Sequence, residues 1–167
     1  MRLERPSMKW KEEHAAYRNE WDEDRMIPSS FNWDEGIPYE TYLEELALRE
    51  AGHGKWLPCT NYFLVDDTQR VVGMIDIRHD LNEYLHQVGG HIGYGIRPSE
   101  RRKGYATWML SEALKVTDTL GISSVLITCN EDNVGSAKTI QKNGGIEDGS
   151  FTEEDGTVVR RFWIKKD

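Results

Sequence analysis

The segment Gly90–Leu110, GHIGYGIRPSERRKGYATWML, carries three local patterns in one run of this 167-residue chain. From His91 to Ile96, apolar Ile92, Tyr94 and Ile96 alternate with His91, Gly93 and Gly95, the two-residue period of a strand. Pro98 closes it. Arg101, Arg102, Lys103 and Gly104 form a short cationic turn, and from Tyr105 onward Ala106, Met109, Ala113 and Leu120 fall near one helical stripe. A turn that opens a helix offers unpaired backbone N–H groups and the positive end of the helix dipole, which suits a phosphate or pyrophosphate.

The flanks predict the rest of the fold. Lys9 to Arg25 mixes charge with Trp10, Ala15, Tyr17 and Trp21, without Gly or Pro, and predicts a helix. Pro28, Ser29, Ser30 and Asn32 mark a loop, and a second helix starts near Pro38 and stops at Gly52-His53-Gly54. Asn61–Val65 and Val71–Ile77 read as a hairpin around Asp66-Asp67-Thr68-Gln69, whereas Arg78–Gln87 has no clear period and is read as irregular. Beyond the central helix, which Gly121 should end, come strand Ser124–Cys129, a short helix carrying Val134, Ala137 and Ile140, and strands Ile146–Thr152 and Val158–Lys165. The central strand–helix–strand–helix order predicts parallel pairing through a crossover, and the hairpins predict antiparallel pairs. The expected fold is α/β, a mixed, mostly antiparallel sheet of about six to seven strands flanked by helices. One domain over residues 1–167 is expected, with a helical part over 1–57 and the sheet over 58–167.

Composition excludes several classes. With 38% apolar and 30% charged residues and no apolar run near the ~20 residues of a membrane span, a soluble protein without a membrane partner is expected. Net charge −8 argues against nucleic acid as a partner. Cys59 and Cys129 give neither a disulfide framework nor a metal spacing, and the first residues lack the apolar core of a secretory signal, so a cytoplasmic protein without a metal is expected. Neither Gly-x-x-x-x-Gly-Lys-Ser/Thr nor a post-strand Gly-x-Gly-x-x-Gly occurs, which disfavours nucleoside triphosphatase and dinucleotide folds.

Ile96, Pro98, Arg101, Gly104 and Ala106 in the turn, with Asn133 and Ser136 after the next strand, make the chain resemble the GNAT superfamily of acetyl-CoA dependent N-acetyltransferases over about residues 60 to 165. The resemblance implies that the amides and side chains of Arg101, Arg102, Lys103, Gly104, Tyr105, Ala106 and Thr107, with Asn133 and Ser136, bind the acetyl-CoA co-substrate. It also implies that the strand at Ile96 splays, so that the pantetheine arm pairs with it as a false strand. Gly93 and Gly95 would leave a bare trough for that arm, or else merely permit a bulge.

The resemblance further implies direct attack of a neutral amine on the thioester, a base to take the proton, and a strand amide near Ile96 for the oxyanion. His91 stands near the usual base and would be largely neutral at pH 7; Asp76 on the neighbouring strand is the next candidate, then His79 and Glu83. The family's frequent general acid, a Tyr seven residues after Asn133, is Ile140 here. That departure keeps a non-catalytic acyl-CoA-binding or regulatory module as an alternative to an N-acetyltransferase acting on a small-molecule or peptide amine. Cys129 ends an apolar strand, and a buried Cys is ordinarily inert. Trp10, Trp21, Trp33 and Trp56 beside Asp22, Glu23, Asp24, Asp34 and Glu35 either attract a protonated amine or pack the core. A homodimer is left open.

Overall fold

The computed structural model describes residues 1–22 and 26–166. In chain order the elements are β1 (Arg2–Glu4), α1 (Lys11–Asn19), α2 (Tyr39–Glu50), β2 (Cys59–Val65), β3 (Val71–Arg78), α3 (Glu83–Gln87), β4 (Ile92–Ile96), α4 (Tyr105–Thr119), β5 (Ser124–Asn130), α5 (Val134–Lys142), β6 (Ile146–Thr152) and β7 (Val158–Lys165). Among the described residues, seven strands form two antiparallel sheets, one in the order β1-β2-β3-β4 and one in the order β5-β7-β6. The fold is α/β, as the sequence predicts.

Four expectations are corrected. The first helix is shorter than Lys9–Arg25: Met8–Trp10 is a 3-10 turn and α1 ends at Asn19, where Glu20 turns to pair with Arg97; Glu23, Asp24 and Arg25 lie outside the described residues. The Arg78–Gln87 stretch holds α3, opened by the Asn82 side chain accepting from Leu85 N–H at 2.8 Å. Leu120 follows α4 and is exposed, so the buried stripe is Met109, Leu110, Ala113 and Thr117. Fourth, β4 and β5 form no parallel ladder and meet only at an isolated bridge, Gly90 with Ile127.

That last difference positions the site. Gly90 lies at φ 62°, and a Cβ there would run into the backbone of Leu126, so only glycine lets the chain approach β5 this closely. Next to it, His91 N–H donates to Leu126 O at 2.7 Å and the His91 ring Nδ1 accepts from Leu126 N–H at 2.9 Å. One residue thus satisfies both backbone groups of Leu126, and beyond this apex the two strands part. Pairing with β3 continues to Arg97, whose N–H donates to Val72 O at 2.8 Å. By the alternation of an antiparallel ladder, the polar backbone groups of Tyr94 and Ile96 therefore point away from β3, to an edge without a partner strand.

The core lies on both faces of the first sheet. Leu64, Ile75, Ile77, Ile92 and Ile96 pack with Met109, Leu110 and Ala113 of α4 and Ile140 of α5 on one face. Burying each such Leu, Ile or Met side chain stabilises by roughly 1.5–3 kcal/mol. On the other face, Trp10 and Tyr17 of the N-terminal segment cover Phe63, Val65, Val71 and Met74. Buried Arg97 bolts α1 to the end of β4 through Glu13 at 3.1 Å and Glu20 at 2.6 Å.

Candidate active site

A cavity of about 750 Å³ opens where β4 leaves β5. Tyr94, Gly95 and Ile96 form its strand wall; Arg101, Arg102, Gly104, Tyr105, Ala106 and Thr107 form its turn; Asn133 and Ser136 close it from α5. Every predicted co-substrate residue except Lys103 is on this wall. Lys103 instead pairs with Glu100 at 2.7 Å, and Glu100 also holds Arg70 at 2.7 Å.

The turn is built to receive an anion. Arg102 and Gly104 take left-handed conformations, φ 63° and 81°, and the first bond within α4 is Trp108 N–H to Gly104 O at 3.2 Å. The N–H groups of Tyr105, Ala106 and Thr107 therefore have no partner inside the helix, and they meet at its positive end. Exposed Arg101 and Arg102 flank them, while Lys138 and Lys142 approach from α5. This chain of net charge −8 thus gathers four cations, against the single carboxylate of Glu100, around one cavity. Such a donor set fits a polyphosphate with a long amide-bearing arm, as in acetyl-CoA: cationic amides at one end, an open strand edge at the other.

Sequence reasoning missed Ile27, Tyr94, Lys138 and Lys142, and it read Trp21 as an amine-side aromatic or a core residue instead of a lining residue of this cavity. The two lysines carried a signal, four residues apart on one helix face. Trp21 and Ile27 carried none, because they arrive by tertiary contact: the Arg101 guanidinium lies 5.0 Å from the Trp21 ring centroid, and Arg101 Nε donates to Ile96 O at 3.3 Å. The same segment overturns the bare trough. A Cβ on Gly95 would strike Ile27 O, and one on Gly93 would lie 2.9 Å from Asp76 Oδ1 and from the Arg78 guanidinium. These glycines make room for protein; the open space is at the strand edge.

The candidate catalytic groups occupy different settings. His91 is buried, which lowers its pKa, and its Nδ1 accepts from Leu126, so the neutral ring carries its proton on Nε2. Asp76 is buried against β4: Oδ1 accepts from Gly93 N–H at 3.2 Å, Oδ2 accepts from Ser30 Oγ at 2.7 Å, and Asn61 Nδ2 donates to that same Ser30 Oγ at 2.8 Å. Ser30 faces a second cavity of about 430 Å³, lined also by Tyr42, Leu46, Glu45 and Trp56. His79 is tied to Thr60 Oγ1 at 2.7 Å and Glu83 is exposed on α3. Burial raises the pKa of the Cys129 thiol and keeps it protonated.

The tryptophans do not make a common face. Trp10 and Trp33 sit in separate core clusters, Trp56 is exposed, and Glu35 pairs with Arg18 at 3.1 Å. Core packing is the role of Trp10 and Trp33, while Trp56 lines the cavity beside Ser30. Among the described residues no helix is long and apolar enough to cross a membrane, and no three His, Cys, Asp or Glu side chains are grouped to hold a metal ion.

Comparison with known proteins supplies the family. No curated protein sequence matches the chain. The structure is similar to ribosomal-protein-S5-alanine acetyltransferase from Vibrio fischeri (TM-score 0.73, 16% identity, 99% of this chain and 92% of that one). It is also similar to a point mutant of the spermidine N-acetyltransferase SpeG from Vibrio cholerae (TM-score 0.66, 18% identity, 99% and 95%). At these identities the likeness is one of fold. The family model described as acetyltransferase (GNAT) domain matches residues 8–146, most of the chain, and the protein belongs to the GNAT acetyltransferase family.

Proposed function

We propose that the protein transfers the acetyl group of acetyl-CoA to a primary amine, of a small molecule or a peptide, by direct attack. The observation that carries this reading is the cavity joining an unpaired strand edge to the amide-rich turn of α4. Acetyl-CoA, when bound, supplies an activated acyl carbon and a thiol leaving group. The amides of Tyr105–Thr107 and the side chains of Arg101, Arg102, Lys138 and Lys142 hold phosphate charge, and the free edge at Tyr94 and Ile96 pairs with the amides of the arm. Asn133 fixes the facing end of α5 by accepting from Ser136 N–H at 3.1 Å.

For the amine's proton, we assign Asp76, acting through Ser30, as the acceptor. Ser30 Oγ donates to Asp76, accepts from Asn61 and keeps one lone pair for an incoming N–H. His91 has committed Nδ1 to Leu126, and we assign it to holding the apex. The helical first third serves as the acceptor side, through Ser30 and the cavity beyond it. The two relatives above are named for a polyamine and for a ribosomal protein, and a net charge of −8 favours a cationic acceptor of either kind. The free, buried Cys59 and Cys129 are in keeping with the reducing cytoplasm.

Calorimetry with acetyl-CoA, followed by thiol release over a panel of polyamines and short peptides, tests the reading. Binding and turnover on an amine are expected. Failure to bind removes the proposal, and tight binding without turnover on any amine favours the acyl-CoA-binding module, whose motivation is the core position of Ile140.

A further inference from the structure

We propose that the Tyr94 hydroxyl, paired with Ser136, donates a hydrogen bond to the departing thiolate. The proposal rests on the acetyl-transfer reading above. Ile140 is wholly buried among the core residues of α4 and α5, so nothing at that position reaches the cavity. Tyr94 does reach it, from the opposite wall. Its hydroxyl crosses from β4 to the first turn of α5, where it lies 2.6 Å from Ser136 Oγ and 3.3 Å from Ser136 O.

Two hydroxyls bring two donors, and the short bond between them uses one. With Ser136 Oγ donating in that short bond, the Tyr94 O–H is left with Ser136 O at 3.3 Å, a long bond that it exchanges for an acceptor in the cavity both residues line. The Asn133 cap holds Ser136 in place, and Tyr94 is anchored by the β3–β4 ladder. Burial pushes the Tyr94 pKa up to about 12, so the phenol keeps its proton at any pH where the protein would work. It is a hydrogen-bond donor that does not give the proton away.

The amine lone pair forms the C–N bond, the C–S bond breaks with its electron pair on sulfur, and the amine proton leaves through Ser30 to Asp76. The sulfur anion is stabilised by the hydroxyl pair and takes a proton from solvent on release.

The test compares the full chain with Tyr94→Phe and Ser136→Ala, with thermal unfolding as the check on folding. For each, coenzyme A affinity is measured by calorimetry, and the ionisation of its bound thiol by the ultraviolet absorbance of the thiolate against pH. In Tyr94→Phe, affinity at neutral pH should stay within about threefold, the bound thiol should ionise about one pH unit higher, and kcat should fall about 10²-fold. Ser136→Ala should fall between this and the wild type. A Tyr94→Phe protein with wild-type thiol ionisation and kcat overturns the proposal and leaves acetyl transfer standing. The same holds if only Ser136→Ala shows the loss. A wild-type chain that binds no coenzyme A overturns both.

Discussion

Replacing Gly104 separates the backbone from the charge of the anion turn. Gly104 sits at φ 81° with nothing within 4 Å of the place a Cβ would take. Any side chain is therefore sterically free but conformationally strained, at roughly 1–2 kcal/mol of folding stability. That cost is common to Gly104→Ala and Gly104→Glu. Only the glutamate adds charge. At about 7 Å from a pyrophosphate, in a solvent-like dielectric of about 80, each charge pair costs about 0.6 kcal/mol, and two phosphate charges about 1.2 kcal/mol. This is close to tenfold in affinity; halving the effective dielectric raises it to about 60-fold. Titration calorimetry with coenzyme A at low salt should thus find Gly104→Glu about 10- to 60-fold weaker than Gly104→Ala. The gap should narrow in about 1 M salt, where the screening length falls to about 3 Å. Equal affinities of the two variants at low salt would mean that the phosphates bind somewhere else.

The remaining tests address the apex and the helical third. His91→Asn keeps an acceptor near the Nδ1 position for Leu126 N–H, so the pH–rate profile should hold its shape with kcat within about tenfold; loss of the acidic limb would reinstate His91 as the base. Gly90→Ala forces a Cβ onto Leu126 at positive φ, and urea denaturation should show a loss of about 2–5 kcal/mol; a near-neutral result would contradict the close approach of the strands. His14 is wholly buried, with Nε2 donating to Phe31 O at 2.7 Å and Nδ1 accepting from Tyr39 Oη at 2.9 Å, and burial pushes its pKa from 6.5 down to about 4. Its neutral form is the folded one, so its contribution is intact above pH 6.5 and falls away as pH drops toward 4, by about 2–3 kcal/mol at pH 4.5. His14→Phe should lose that part of the pH dependence in urea titrations; an unchanged dependence would rule out a buried neutral His14.

The turn was legible in the sequence because it is local. Gly104 before a helical stripe and Asn133 three residues before Ser136 are signals written within a few positions, and the structure uses both at the places expected, as a left-handed residue and a helix cap. The parting of the strands was not legible as geometry. The element order of β4, α4 and β5 is that of a parallel crossover, and only three-dimensional contact reveals that the bond partners of Leu126 come from His91, one of them from its ring. Gly93 and Gly95 misled for a related reason. A strand glycine announces close approach, but the group approaching Gly95 is the carbonyl of Ile27, far earlier in the chain. Arg78–Gln87 was unreadable because α3 spans little more than a helical turn, too short for a period to register.

The site follows from where pairing stops. Had β4 and β5 zipped together, the backbone groups of Tyr94 and Ile96 would be satisfied and no cavity would exist. Instead His91 saturates Leu126 at one point, and the edge beyond it is left with donors and acceptors that cost free energy wherever water cannot reach them. Arg101 takes up one, the Ile96 carbonyl, while its guanidinium rests on Trp21. On the proposed function, an extended arm carrying its own amides pairs with the others, and the helix N-terminus along the same wall meets the phosphate charge. Because both recognition elements are backbone, side-chain changes on the wall should alter rates and acceptor choice more readily than they abolish binding. Gly104 and Gly90 are the exceptions, since there the side chain would change the backbone itself.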